Sequence, residues 1–152
     1  MELTELVAAR GIQPRLKATS KKQALQALAD LAAEVTGLKP RAVFETLLER
    51  ERLGSTGVGN GTAVPHGKFK ELERLHVLIA KLDQPIDFDS IDDRPVDIVV
   101  VLLAPEGAGA DHLKALARVS RLLRDGRFVE KLRGCETAEA ILALIAEHDS
   151  GA

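Results

Sequence analysis

Apolar residues recur at helical spacing over Leu25, Leu28, Ala32 and Val35, and Ser20 with Gln23 forms a capping-box pair just ahead of that stripe. Gly37 suits the end of this helix, and Pro40 suits the first turn of the next. The second helix is predicted to run to about Arg52, with Val43, Leu47 and Leu48 buried. Glycine density then rises sharply from Leu53 to Lys68. Asn60-Gly61 reads as a two-residue hairpin turn, because both central positions of a type I′ turn need positive φ. Thr56 to Gly59 and Thr62 to Val64 are the expected paired strands.

A longer strand is predicted at Leu75 to Leu82, followed by a turn-rich stretch from Asp83 to Pro95. Val96 to Ala104 is apolar at nearly every position after Asp97, as in a central strand buried on both faces. Asp111 is the expected N-cap of a helix with Leu113, Leu116, Ala117, Ser120 and Leu123 on its inner face. Asp125-Gly126 breaks that helix, a short one follows with Phe128, Val129 and Leu132, and Thr137 caps a last one with Ile141, Leu144 and Ile145. Strands in the middle with helices at both ends predict an α/β fold, a mixed sheet covered by helices.

The chain of 152 residues suits one domain. A hydrophobic fraction of 45% and a charged fraction of 29% argue against disorder. The 21 basic and 23 acidic residues give a formal charge of −2, which offers no reason to expect a nucleic-acid or anionic-membrane binder. Aromatics make up 3%, with neither Trp nor Tyr, so base-stacking platforms are not expected. The single cysteine, Cys135, excludes an internal disulfide, fits a reducing compartment and reads as a small structural residue. Met1 to Arg10 has no basic segment leading into an apolar run, and Ile98 to Ala104 is too short to span a bilayer. A cytoplasmic protein without membrane insertion is the expectation.

Several chemistries fail on spacing. Gly61 to Gly67-Lys68 has one residue too many for a P-loop, and Phe69 stands where Ser or Thr should. Val64 stands where the dinucleotide fingerprint needs a small residue after Gly59 and Gly61. His66, His76, His112 and His148 show no metal-ligand pairing, so neither a metal nor a cofactor is expected. Ser55, in G-S-T-G, does not form the nucleophile elbow.

His66 stands apart. Pro65 before it fixes the entry to the segment, and Gly67 after it permits close approach of another backbone or a phosphate. Neutral imidazole keeps one ring nitrogen free to attack phosphorus. The plainer reading, a turn histidine bonded to a nearby carbonyl, weighs equally on spacing alone.

The string from Leu53 to Lys68, L-G-S-T-G-V-G-N-G-T-A-V-P-H-G-K, resembles the phosphorylation site of enzyme IIA of the bacterial phosphotransferase system, fructose/mannitol class, nitrogen-regulatory branch. The likeness continues through L-L-E-R-E-R-L before it, P-I-D-F-D-S-I-D-D-R-P-V-D-I after it, and A-P-E followed by D-H-L. It implies one IIA domain over residues 1–152, a mixed sheet with helices on both faces. It also implies His66 as acceptor of a phosphoryl group from an HPr-like histidine phosphocarrier, with His112 and Arg50 as phosphate-stabilising partners. Asn60 stands where mannitol-type relatives carry glutamate, which favours the regulatory branch.

The function implied is a phosphotransferase component with a mainly regulatory role, its phosphorylation state acting on protein targets such as transporters or sensor kinases. Two alternatives stay open: a sugar-transport IIA subunit passing phosphate to a separate IIB, and a binding module acting without phosphate. The plainer readings are Arg50 as a solvated helix charge and His112 as a surface residue at a helix start. Val58 and Phe69, flanking the motif, are candidates for the apolar centre of a carrier-docking surface, or for the core. His76 and His148 carry no functional expectation.

Overall fold

The computed structural model describes residues 2–151. Its elements follow in the order β1 (Val7–Leu16), α1 (Lys21–Thr36), α2 (Pro40–Arg52), β2 (Gly57–Gly59), β3 (Thr62–Ala63), β4 (His66–Phe69), β5 (His76–Ile86), β6 (Val96–Pro105), α3 (Ala110–Arg124), α4 (Gly126–Arg133) and α5 (Ala138–Gly151). The strands form one mixed sheet in the order β1-β5-β6-β3-β2, with β4 also paired to β6. β5 runs antiparallel to β6 and parallel to β1, while β3 and β4 run parallel to β6.

Alternate side chains of β6 enter opposite layers. Val99, Val101 and Leu103 pack with Leu25, Leu28 and Leu47 of α1 and α2. Ile98, Val100 and Leu102 pack with Leu123, Leu132 and Ile141 of α3, α4 and α5. Helices therefore cover both faces of the sheet, and the unbroken apolar run of β6 has its physical reason.

Local signals hold where the chemistry is specific. Ser20 Oγ accepts the Gln23 N–H at 3.1 Å, and the Gln23 side chain reaches back to the Thr19 N–H rather than to that of Ser20. Gly37 closes α1 in the left-handed region at φ 79°. Asn60 and Gly61 take φ of 57° and 76°, the pair of positive values that the hairpin turn demands. Arg133 of α4 holds that turn by donating to the Asn60 carbonyl and to the Asp97 carboxylate at 2.9 Å. Lys81, a cation in an otherwise apolar stretch of β5, caps the end of α4 by donating to the Arg133 carbonyl at 2.7 Å. Cys135 is half-buried there, its Sγ 3.3 Å from the Lys131 carbonyl.

Four expectations need correction. After one 3₁₀ turn at Leu3–Glu5, the first long element is an edge strand, β1, not an α-helix. Register shifts between Val7 and Ile12 and between Gln13 and Leu16 erase its alternation, and Pro14 is tolerated because β1 has a single neighbour. β5 extends to Ile86, into the stretch expected to be turns. Beyond the expected hairpin, where no strand is predicted between Val64 and Leu75, His66 opens β4, a strand with no apolar alternation to announce it. Finally, α3 is capped by Gly109 at φ 47°, with Asp111 inside the first turn. Its buried face is His112, Ala115, Val119, Leu122 and Leu123, while Leu113 is 69% exposed. The helix is rotated by about one residue, some 100°, from expectation because its inner stripe begins with a histidine.

Candidate functional site

The edge of β6 carries β3 and β4 in line, interrupted at Val64-Pro65. Proline has no N–H for a ladder, yet its carbonyl accepts the Leu102 N–H at 3.0 Å, and the Val64 N–H turns away to the Thr56 carbonyl at 2.9 Å. β4 then starts with His66 opposite Leu102, whose side chain belongs to the α3–α5 layer. His66 meets His112 there, in the first turn of α3: the ring centroids lie 5.9 Å apart at 75°, edge to face. Phe69 turns to the other layer and is 5% exposed, so it belongs to the core and not to a docking surface.

Arg50 reaches the same imidazole from α2. Its Nε donates to His66 Nε2 at 3.3 Å, and Nη1 donates to the Gly54 carbonyl at 2.9 Å. What lets α2 come this close is Gly67. A Cβ there would lie 2.7 Å from Thr46 Cγ2, one helical turn before Arg50. The close approach that Gly67 permits is therefore made by the protein's own helix.

The hydrogen bonds around His66 assign its tautomer. Nδ1 lies 2.8 Å from the Val64 carbonyl, which can only accept, so Nδ1 carries the proton. Nε2 is then unprotonated and accepts from Arg50 at 3.3 Å, so its lone pair is open to another electrophile once Arg50 moves off it. The carbonyl bond of the plainer reading is made by Nδ1 of this ring, while Nε2, unprotonated, meets Arg50 at the cleft.

His112 is 6% exposed, which rules out the surface-residue reading. Burial, then the nearby His66 and Lys68, push its imidazole below the usual histidine range, so it is neutral at pH 7. Its Nε2 is buried without a hydrogen-bond partner among the described residues. Arg50 is half-buried and anchored at both ends, not a freely solvated charge.

The three residues thus converge on one open cleft of about 1330 Å³, whose walls include Leu48, Arg52, Leu53, Gly67 and Lys68. Lys68 lies on the same strand face as His66, two residues on. Sequence reasoning gave it no role, although it closes the motif. Leu53 in the cleft wall is 85% exposed, whereas Val58, 39% exposed on β2, does not line the cleft. His76 and His148 line other cavities. No helix among the described residues is long and apolar enough to cross a membrane.

A mobile phosphate-sized group would find here an accessible imidazole nitrogen, a guanidinium on that same nitrogen, and two further nitrogen-bearing side chains. Residues 5–148 match the family model described as "Phosphoenolpyruvate-dependent sugar phosphotransferase system, EIIA 2". A nitrogen regulatory protein of Bradyrhizobium diazoefficiens is 60% identical over 146 residues, covering 96% of this chain and 95% of its own. The nitrogen regulatory protein of Escherichia coli K12 is 38% identical over 149 residues, covering 97% and 91%. Among solved structures, the nitrogen regulatory protein IIA-Ntr of Neisseria meningitidis superposes with a TM-score of 0.89 at 30% identity, covering 94% of this chain and 98% of its own. The mannitol IIA of Escherichia coli shares the fold at a TM-score of 0.76 and 22% identity, covering 91% and 97%. With its fold, its cleft motif and nearly its whole length accounted for, the chain belongs to the EIIA 2 family of the phosphoenolpyruvate-dependent phosphotransferase system.

Proposed function

We propose that this protein accepts a phosphoryl group on His66 Nε2 from an HPr-like histidine phosphocarrier, and that its phosphorylation state regulates partner proteins. The observation that carries this reading is the pair of bonds on one ring: Nδ1 against the Val64 carbonyl and Nε2 facing Arg50 in an open cleft. The Nε2 lone pair forms the new N–P bond as the donor's P–N bond breaks, and the donor imidazole leaves with the electron pair. His66 keeps its Nδ1 proton on Val64, so the phosphorylated ring carries its positive charge beside a carbonyl dipole.

Little covalent help is needed in such a transfer; position and charge do the work. Arg50 shifts from the ring nitrogen to the incoming oxygens. Lys68 adds a second cation, and the N–H groups of the first turn of α3 favour an anion beside His112. Neutral His112 presents a nitrogen that gains a partner when the phosphoryl oxygens arrive. The exposed Leu53 on the cleft rim, and Leu113 directly after His112, supply apolar contact for a carrier, with the cations around them meeting its phosphate.

The regulatory half of the reading draws on the names carried by the most similar relatives and on electrostatics. One phosphoryl group brings roughly −1.5 to −2 charges, offset in part by the positive ring, and the new local charge alters the partners a small surface accepts. The test is reconstitution with phosphoenolpyruvate, enzyme I and a phosphocarrier. The wild type gains an acid-labile phosphoryl group and His66→Ala does not; equal labelling of both would refute the assignment.

A further inference from the structure

Glu51 is a buried carboxylate, 6% exposed, and it directly follows Arg50 in α2. One residue along a helix turns the side chain by about 100°, so Arg50 faces the cleft while Glu51 faces inward. Glu51 sits on the stripe of Val43 and Leu47, at helical spacing from both. Its Oε1 accepts the Thr56 N–H at 3.1 Å and meets Lys21 Nζ at 2.8 Å, while its Oε2 accepts the Thr56 hydroxyl. Lys21 opens α1, where a cation opposes the helix dipole and no acidic residue of the first turn offsets it. The pairing with Glu51 explains that placement. A buried ion pair of this kind is weak evidence for stability in itself, so what it positions matters more than what it stabilises.

The role follows from what Thr56 holds. The Thr56 carbonyl accepts the Val64 N–H at 2.9 Å, and the Val64 carbonyl accepts His66 Nδ1–H at 2.8 Å. Pro65 restricts Val64 to extended backbone, so fixing the Val64 N–H also fixes the direction of its carbonyl. Resting on the reading of His66 as acceptor, we propose that Glu51 is a positioning residue for the transfer. Through Thr56 and Val64 it holds the His66 tautomer that leaves Nε2 unprotonated. Consecutive residues of α2 thereby govern the two nitrogens of one ring, Arg50 directly and Glu51 through the backbone.

The experiment is ¹⁵N NMR of the imidazoles in the full chain, alongside the rate of phosphoryl acceptance, for Glu51→Gln, Thr56→Val and Thr56→Ser. Asp149→Asn, which breaks a buried pairing outside the cleft, serves as a destabilised control. Glu51→Gln and Thr56→Val are expected to shift His66 toward a mixture of tautomers and to slow acceptance by about tenfold or more, the scale seen when groups that orient a histidine are removed. Thr56→Ser restores both, and Asp149→Asn changes neither. Folded Glu51→Gln and Thr56→Val proteins with wild-type tautomer and rate would overturn the proposal. If Glu51→Gln does not fold, the contrast between Thr56→Val and Thr56→Ser decides it alone. If the wild type takes no phosphate at His66, the acceptor reading fails, and the tautomer of the unphosphorylated protein still decides the positioning role.

Discussion

Gly67→Ala tests how α2 delivers Arg50 to the site. The added Cβ would lie 2.7 Å from Thr46 Cγ2, about 0.7 Å short of the 3.4 Å at which ordinary contact begins. Gly67 has no positive φ, so the backbone itself accepts alanine, and the loss of chain freedom in the unfolded state favours the variant by about 0.4–1 kcal/mol. Overpacking costs about 1–3 kcal/mol and wins. A net destabilisation of about 1–2 kcal/mol is therefore expected. If α2 yields by the missing distance, Arg50 Nε retreats from 3.3 Å to about 4 Å from His66 Nε2, beyond hydrogen-bond reach. A hydrogen bond to a charged group contributes about 1.5–3 kcal/mol, so acceptance should slow by roughly tenfold to a hundredfold.

The two losses share one cause, and Thr46→Ser removes that cause by deleting the methyl. In a double-mutant cycle followed by urea unfolding and by phosphorylation rate, the Gly67→Ala/Thr46→Ser protein should recover at least half of each loss. Gly67→Ala with wild-type stability and rate would refute the reasoning. So would a double variant no better than the single one.

Arg50→Lys keeps the charge but loses the Nε donor and the fork that also binds Gly54; phosphoryl acceptance should fall about tenfold or more, with unfolding by urea nearly unchanged. Burial, then His66 and Lys68, lower the His112 pKa, so below about pH 6.5 the unfolded chain takes up this proton first and stability falls. The wild type should lose stability through that window relative to His112→Gln, as read from Tm against pH, and phosphorylation of His66 should raise the His112 pKa in an NMR titration. Asp149 has the same sign in a lower pH window, for a different reason. Burial raises its pKa, but bonds from the Thr4 N–H and Arg118 outweigh this and hold it below the usual carboxylate range. The stability it contributes is complete above about pH 4 and is lost as pH falls through the folded pKa, so an acid titration of Tm should be shallower for Asp149→Asn.

What the sequence reveals depends on whether one residue or a stripe of them carries the signal. The Ser20 cap, the Asn60-Gly61 turn and β6 each follow from local chemistry that tertiary packing does not override. β1 and β4 are hidden for different reasons. Bulges break the period of β1, and the alternation of β4 sets His66 and Lys68 against Gly67 and Phe69, which offers no apolar face. His66 is legible through the motif, whereas Arg50, His112 and their place beside it are legible only through the family resemblance, because they lie on separate segments that the fold brings together.

Treating His112 as polar puts it on the outside of α3 and turns the helix by one residue; the structure places it on the inner stripe with Ala115 and Val119. Glu51 escapes notice for the same reason. Its place in line with Val43 and Leu47 is a readable sign, since a carboxylate on an apolar stripe must find partners. Lys21 and Thr56, which supply them, come from other segments and only the fold brings them together.

The most direct test of the central claim is a heteronuclear NMR spectrum of the protein phosphorylated through phosphoenolpyruvate, enzyme I and an HPr-like carrier. The geometry predicts one phosphoramidate per chain, on Nε2 of His66, with Nδ1 still protonated against Val64. Phosphate on Nδ1, or undiminished labelling of His66→Ala, would contradict it.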